Sequence, residues 1–165
     1  MEKIITLGHP SLKLKSSKIS KFDNNLNNLI ENMYNIMYEA HGVGLAAPQI
    51  SKNIQLFVYD VGNGPNYCIN PKITSRKNTS VFYEGCLSVP GYYFDIPRSD
   101  YVRVECVDSN NQLKVHEGEE LTGRVLQHEI DHLNGKLLLN RLKRKERKEA
   151  ITKIAINGFP GPYEN

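Results

Sequence analysis

The chain has 165 residues, 39% of them hydrophobic and 24% charged, with a net charge of +3. That length fits one domain spanning 1–165 with a real core, and the composition excludes a disordered chain. The charge is too slight to imply DNA, and neither a signal-peptide core in Met1-Glu2-Lys3-Ile4-Ile5-Thr6 nor a run of about 18 apolar residues is present, so a cytoplasmic protein without a membrane span is expected.

Residues 1–21 are mixed and polar, and His9-Pro10 marks an extended or turn segment, so a short strand or arm is expected there. From Asp23 the pattern changes. Leu26, Leu29, Ile30, Met33, Ile36, Met37 and Ala40 recur at spacings of three and four, which predicts a helix over 24–40 with Asp23 as N-cap and Gly42 just past its end. Gly42-Val43-Gly44-Leu45-Ala46-Ala47-Pro48-Gln49-Ile50 follows, a run of small residues where backbone can approach another group closely; taken alone, it fits a helix C-cap and a tight loop better. Ile54 to Asp60 is strand-like, Asn63-Gly64 is a turn signal, and a second strand is expected around Tyr67 to Asn70. A polar turn over 72–80 precedes Val81-Phe82-Tyr83-Glu84, after which Gly85 and Pro90 frame Cys86 in an exposed, irregular loop. Tyr101 to Asp108 and Gln112 to His116 alternate on either side of Asn110-Asn111, which predicts a hairpin. His116-Glu117 begins like a metal motif, but position 120 is Glu120, so the spacing fails and His116 reads as strand or loop surface. Gly118 opens a helix to Leu133 that Gly135 terminates. The basic segment 143–154 reads as a helical tail, with an irregular end at Gly158, Pro160, Gly161 and Pro162.

Gln127-His128-Glu129-Ile130-Asp131-His132-Leu133 carries the chemistry. Side chains four apart on a helix lie on one face, so His128 and His132 can aim imidazole nitrogens at one divalent ion. Glu129 sits about 100° around the axis, beside such an ion as a base rather than a ligand. A third ligand is needed. No histidine follows His132, and the downstream carboxylates lie in the charged tail. Of the three cysteines, an odd number without a C-x-x-C pair that argues for reduced thiols, Cys68 and Cys106 read as small buried hydrophobes, whereas Cys86 is placed to supply a thiolate.

These segments, taken in order, resemble the peptide deformylases: Gly42-Val43-Gly44-Leu45-Ala46-Ala47-Pro48-Gln49, Glu84-Gly85-Cys86-Leu87-Ser88, and Gln127-His128-Glu129-Ile130-Asp131-His132-Leu133. The form Glu84-Gly85-Cys86-Leu87-Ser88-Val89-Pro90 is similar to the type I bacterial class. The resemblance implies an α+β fold, with antiparallel sheets packed around the central helix that carries His128 and a C-terminal helix at the end. It also implies removal of the formyl group from the N-terminal N-formylmethionine of newly made polypeptides, with release of formate. Cys86, His128 and His132 would hold one divalent metal, ferrous iron by family habit, with zinc, nickel or cobalt as substitutes. Its water would attack the formyl carbon with Glu129 as general base. Gln49 and the Leu87 N–H would supply donors to the oxyanion. Val43, Gly44 and Gly85 would lie along the substrate backbone, and Val43, Glu84, Leu121 and Arg124 around its methionine.

Two positions depart from the family pattern. Gly123 stands where alanine is common, and Ser51 where glycine is frequent. Two rival functions share the same features: a zinc endopeptidase or amidase built on the same helix, and a module whose Arg141, Lys143, Arg144, Lys145, Arg147, Lys148 and Lys153 dock on ribosomal RNA near emerging chains. The cluster also reads as a solvated helix face whose charge Glu146 and Glu149 partly offset.

Overall fold

The computed structural model describes residues 2–160. The irregular end expected at Gly161 and Pro162 lies outside these residues, as do the two extremities of the expected 1–165 domain. Residues 2–21 form an arm with a 3-10 turn at Pro10–Lys13 and one parallel bridge, Ser17 to Ile54, rather than a strand of their own. Helix α1 spans Asn24–Glu39, and the Asp23 carboxylate caps it by accepting from the Leu26 N–H. Its buried stripe is Leu26, Ile30, Met33, Tyr34, Ile36 and Met37.

Five strands follow in one antiparallel sheet: β1 (Gly44–Ala46), β2 (Leu56–Tyr59), β3 (Asn66–Lys77), β6 (Tyr101–Val107) and β7 (Leu113–Gly118), in that spatial order. The other two, β4 (Ser80–Gly85) and β5 (Tyr93–Arg98), form a separate hairpin. β3 corrects the turn expected over 72–80, because residues 72–77 continue the ladder against β6 despite their polarity. One face of this stretch is solvated and two register shifts bend it, so a polar sequence costs little there. β5, which the sequence reading did not anticipate, contains Pro97; proline is tolerated in a strand that has a partner on one side only.

β2 explains why the sheet is covered on both sides. Leu56 and Val58 point into a core shared with α1, and Phe57 and Tyr59 into a second core beneath helix α2 (Glu120–Leu133). All four are buried, so the strand reads as continuous rather than alternating hydrophobicity. A third core joins Val89 and Ile96 of the hairpin region to Leu138, Leu139 and two residues of helix α3 (Arg144–Asn157), Ala150 and Ile154. The basic tail is therefore helical and docked by its apolar side, with Arg144, Lys145 and Lys148 exposed. Among the described residues no helix is long and apolar enough to cross a membrane.

The two departures noted above acquire reasons here. Ser51 adopts the left-handed region (φ 62, ψ 20) at the end of the 3-10 turn Ala47–Ile50, a conformation that glycine enters without strain. Gly123 lies so close to neighbouring backbone that a Cβ would stand 2.7 Å from the Asp100 carbonyl oxygen and 2.8 Å from that of Gly118. Single substitutions at the two sites should therefore move in opposite directions. Ser51→Gly is expected to stabilise by about 1 kcal/mol. Gly123→Ala should lower the melting temperature, even though alanine is favoured over glycine by roughly 1 kcal/mol in helix propensity. Thermal denaturation of both variants checks the signs.

Candidate metal centre

Helix α2 places His128 and His132 one turn apart with ring centroids 5.0 Å apart. Cys86 follows β4 directly, and the β4–β5 hairpin swings its sulfur over this helix face. The Cys86 sulfur and one nitrogen from each ring lie within 4.8 Å of one another, with Cys86 Sγ 3.4 Å from His132 Nε2. A tetrahedral ion bound at about 2.0–2.3 Å would hold such donors about 3.3–3.6 Å apart, so the set needs little closure to take one.

Glu84 fixes the orientation of His128. Its Oε1 lies 2.6 Å from His128 Nδ1, which leaves Nε2 to face the shared point. The same carboxylate accepts two-pronged donation from Arg98, whose side chain is 1% exposed. Arg98 also donates to Asp131 at 2.8 Å, and Asp131 accepts from Arg141. A chain of alternating charge, interior as far as Asp131, thus runs from His128 through Glu84, Arg98 and Asp131 to the exposed Arg141. Burial alone would raise the Glu84 carboxyl, but His128 and Arg98 outweigh it and hold it down at about 2. For His128, burial opposes the charged form while Cys86 and Glu84 favour it more strongly, so its pKa is raised. His132 goes the other way, lowered by burial and by His128, into the neutral form that ligates metals.

Glu129 is 3% exposed, and burial pushes its carboxyl up to about 7. Among the described residues its Oε2 has no hydrogen-bond partner, nor does His132 Nδ1. Three convergent soft and nitrogen donors fit a divalent cation, and beside them lies this unpaired, buried carboxylate oxygen. Gly44 makes room for it, since a Cβ there would overlap Glu129 Oε1 and come within 2.9 Å of Val125. Gln49, carried on the 3-10 turn after β1, accepts from Ala46 N–H at 2.9 Å, which turns its amide nitrogen toward Ser88 Oγ at 3.0 Å and Cys86 Sγ at 3.8 Å. Leu87 follows Cys86 in the loop after β4.

A family model for polypeptide deformylases matches residues 1–148. The chain belongs to the peptide deformylase family. It is 40% identical over 145 residues to the peptide deformylase of Desulfitobacterium hafniense, covering 88% of this chain and 97% of that protein. With the peptide deformylase of Thermotoga maritima it shares 42% over 148 residues, 89% of this chain and 90% of the other. Among solved structures, the peptide deformylase of Legionella pneumophila superposes with a TM-score of 0.89 at 38% identity over 94% of each chain. That of Synechococcus elongatus in complex with actinonin gives 0.87 at 37%, over 96% of this chain and 88% of that one.

Within this deformylase fold the remaining candidate residues separate into two groups. Val43, just before β1, and Leu121, in the first turn of α2, are both 44% exposed. Gly85 packs so tightly under Tyr93 that a Cβ would meet its ring at 2.5 Å. Glu84 and Arg124 are internal instead. Arg124 donates to Ile96 O and Ser80 O and lies over the Phe82 ring, so it ties the hairpin to α2. Arg98, Asp131, Arg141 and Ser88 were missed in the sequence reading. Asp131 lay inside the recognised motif, and a carboxylate on a buried helix face demands a cationic partner; nothing marked Arg98 as that partner.

Removing one member of a buried ion chain strands the others, so Arg98→Met should cost about 3–5 kcal/mol in chemical denaturation. Because the Glu84 carboxyl is depressed from 4.5 to about 2, its contribution is complete above about pH 4.5 and is lost as pH falls toward 2. Part of the acid loss of stability should accordingly vanish in Glu84→Gln.

Proposed function

We propose that this chain hydrolyses the formyl amide at the N-terminal N-formylmethionine of newly made polypeptides and releases formate. The observation that carries the reading is the unpaired, buried Glu129 Oε2 beside the Cys86, His128 and His132 donor set. A divalent ion held by those three residues would supply Lewis acidity and make water a nucleophile at neutral pH. Glu129 then takes the proton of the attacking water and returns it to the departing amine. Burial raises its carboxyl and a divalent cation alongside would favour its carboxylate form, which together suit a proton acceptor near neutral pH. Gln49 directs the amide N–H not held by Ser88, and Leu87 its backbone N–H, at the developing oxyanion.

The substrate enters as a strand. β1 and β4 each have a partner on one side only among the described residues, and Val43, Gly44 and Gly85 lie at these edges, where an extended peptide pairs by strand addition. Val43 and Leu121 flank the methionine side chain. Glu84 and Arg124 act on the pocket indirectly, the first by orienting His128 and the second by fixing the hairpin. Ferrous iron is the working metal, with zinc, nickel or cobalt able to replace it at the same donors. Three free cysteines, one of them a ligand, suit a reducing cytoplasm.

The test is formate release from an N-formylmethionyl tripeptide by protein loaded anaerobically with ferrous iron. Glu129→Gln should lose about 10²–10⁴ in kcat while retaining its metal, and the N-acetyl peptide should remain intact. Cleavage of unformylated chains at internal bonds, with no formate released, would instead favour an endopeptidase.

A further inference from the structure

A second group of metal-binding side chains lies outside the catalytic centre, on the sheet face that α2 covers. Cys68 comes from β3, Cys106 from β6 and His116 from β7, and one potential ligand atom from each lies within 4.8 Å of the others. The register accounts for the convergence. Ile69 is opposite Val107 and Cys106 is opposite Lys114, so Cys68 and His116 are both diagonal neighbours of Cys106 on one face. Both cysteines are buried and unpaired in disulfides, and His116 is half-buried. His116 thus lies in a strand, as one of the two expectations had it, but half-buried rather than on the surface.

Tyr59 of β2 reaches across the curled sheet to place its hydroxyl 2.6 Å from His116 Nδ1, with the two rings edge to face at 5.8 Å. That contact leaves Nε2 as the free nitrogen. A ligating imidazole whose second nitrogen is held by a polar partner is the usual arrangement around protein-bound metals.

We propose that Cys68, Cys106 and His116 form a second, structural site for a thiolate-seeking divalent ion of the zinc class, with Tyr59 orienting the histidine. Two sulfurs and one nitrogen are three of the four donors of a tetrahedral zinc site, and His116, only half-buried, leaves water a way to the fourth. Two thiolates cancel the charge of a divalent ion, which suits a core that would exclude an unbalanced one. Both thiols would bind as thiolates, so metal uptake would release protons and tighten as pH rises. The ion would clip β3, β6 and β7 together at the edge of the sheet where β7 has no outer partner among the described residues. Isolated buried cysteines need no such account, since each behaves as a small hydrophobe. The meeting of two of them with an imidazole already held by a phenol does.

Cobalt(II) under reducing, anaerobic conditions is the probe, because thiolate ligation gives it a near-ultraviolet charge-transfer absorption. In Cys86→Ser the catalytic thiolate is gone, so any such band reports Cys68 and Cys106. The expected result is a band that saturates at one equivalent in Cys86→Ser, disappears in Cys86→Ser/Cys106→Ser, and requires at least tenfold more cobalt in Cys86→Ser/His116→Gln. The intact chain should take up two equivalents of zinc and Cys86→Ser one at this affinity. His116→Gln is the safeguard against a core cysteine substitution that fails to fold, because its side chain is only half-buried. Absence of the band in Cys86→Ser with native circular dichroism would overturn the proposal, as would a Cys68–Cys106 disulfide that persists in reductant.

Discussion

The Glu84–Arg98–Asp131 bridge is the interaction on which the rest of the molecule depends. It joins the β4–β5 hairpin, which carries Cys86, to helix α2, which carries His128 and His132. Apolar packing alone would hold the two elements together without specifying their rotation. A bidentate guanidinium contact fixes it, because Glu84 must present both oxygens to Arg98 and one of them, Oε1, to His128 Nδ1 as well. Buried ion pairs add little net stability over well-packed apolar side chains. What this one adds is position: the thiolate and the two imidazoles come from elements far apart in sequence, yet their donor atoms meet within a few ångströms.

Around this bridge the sheet supplies rigidity and the glycine-rich segment supplies space. β2, buried on both faces, anchors β1, and β1 leads into the 3-10 turn that carries Gln49. Gly44 is set by the volume of Glu129, so this carboxylate and the strand that faces it are fitted to each other at atomic contact. Burial raises the Glu129 carboxyl and depresses His132, while Glu84 and Cys86 raise His128. One compact site therefore holds a poised carboxylate and a neutral imidazole side by side.

Much of this was legible in the sequence where residue spacing itself carries geometry. The His128 and His132 interval, the Asp23 cap and the alternation of Tyr101 to Val107 each follow from a helical or strand period, and each was found where expected. β3 was cut short because residues 72–77 are polar and pair on the solvated side, so no hydrophobic alternation announces them. β1 has three residues, too few for any period. Arg98 follows Pro97 in a strand that composition alone argues against, and its partners lie 14 and 33 residues away. The inward turn of His116 depends on the register of β6 with β7 and on a tyrosine 57 residues distant, neither of which local sequence encodes.

The most direct measurement is the affinity of Glu84→Gln for its catalytic metal, determined by competition with a chelator on protein shown to be folded. If the buried bridge positions His128, the substitution should weaken binding by about 10–100-fold without removing any ligand. Unchanged affinity in a folded variant would contradict the account, and would mean that Cys86, His128 and His132 hold their places through packing alone.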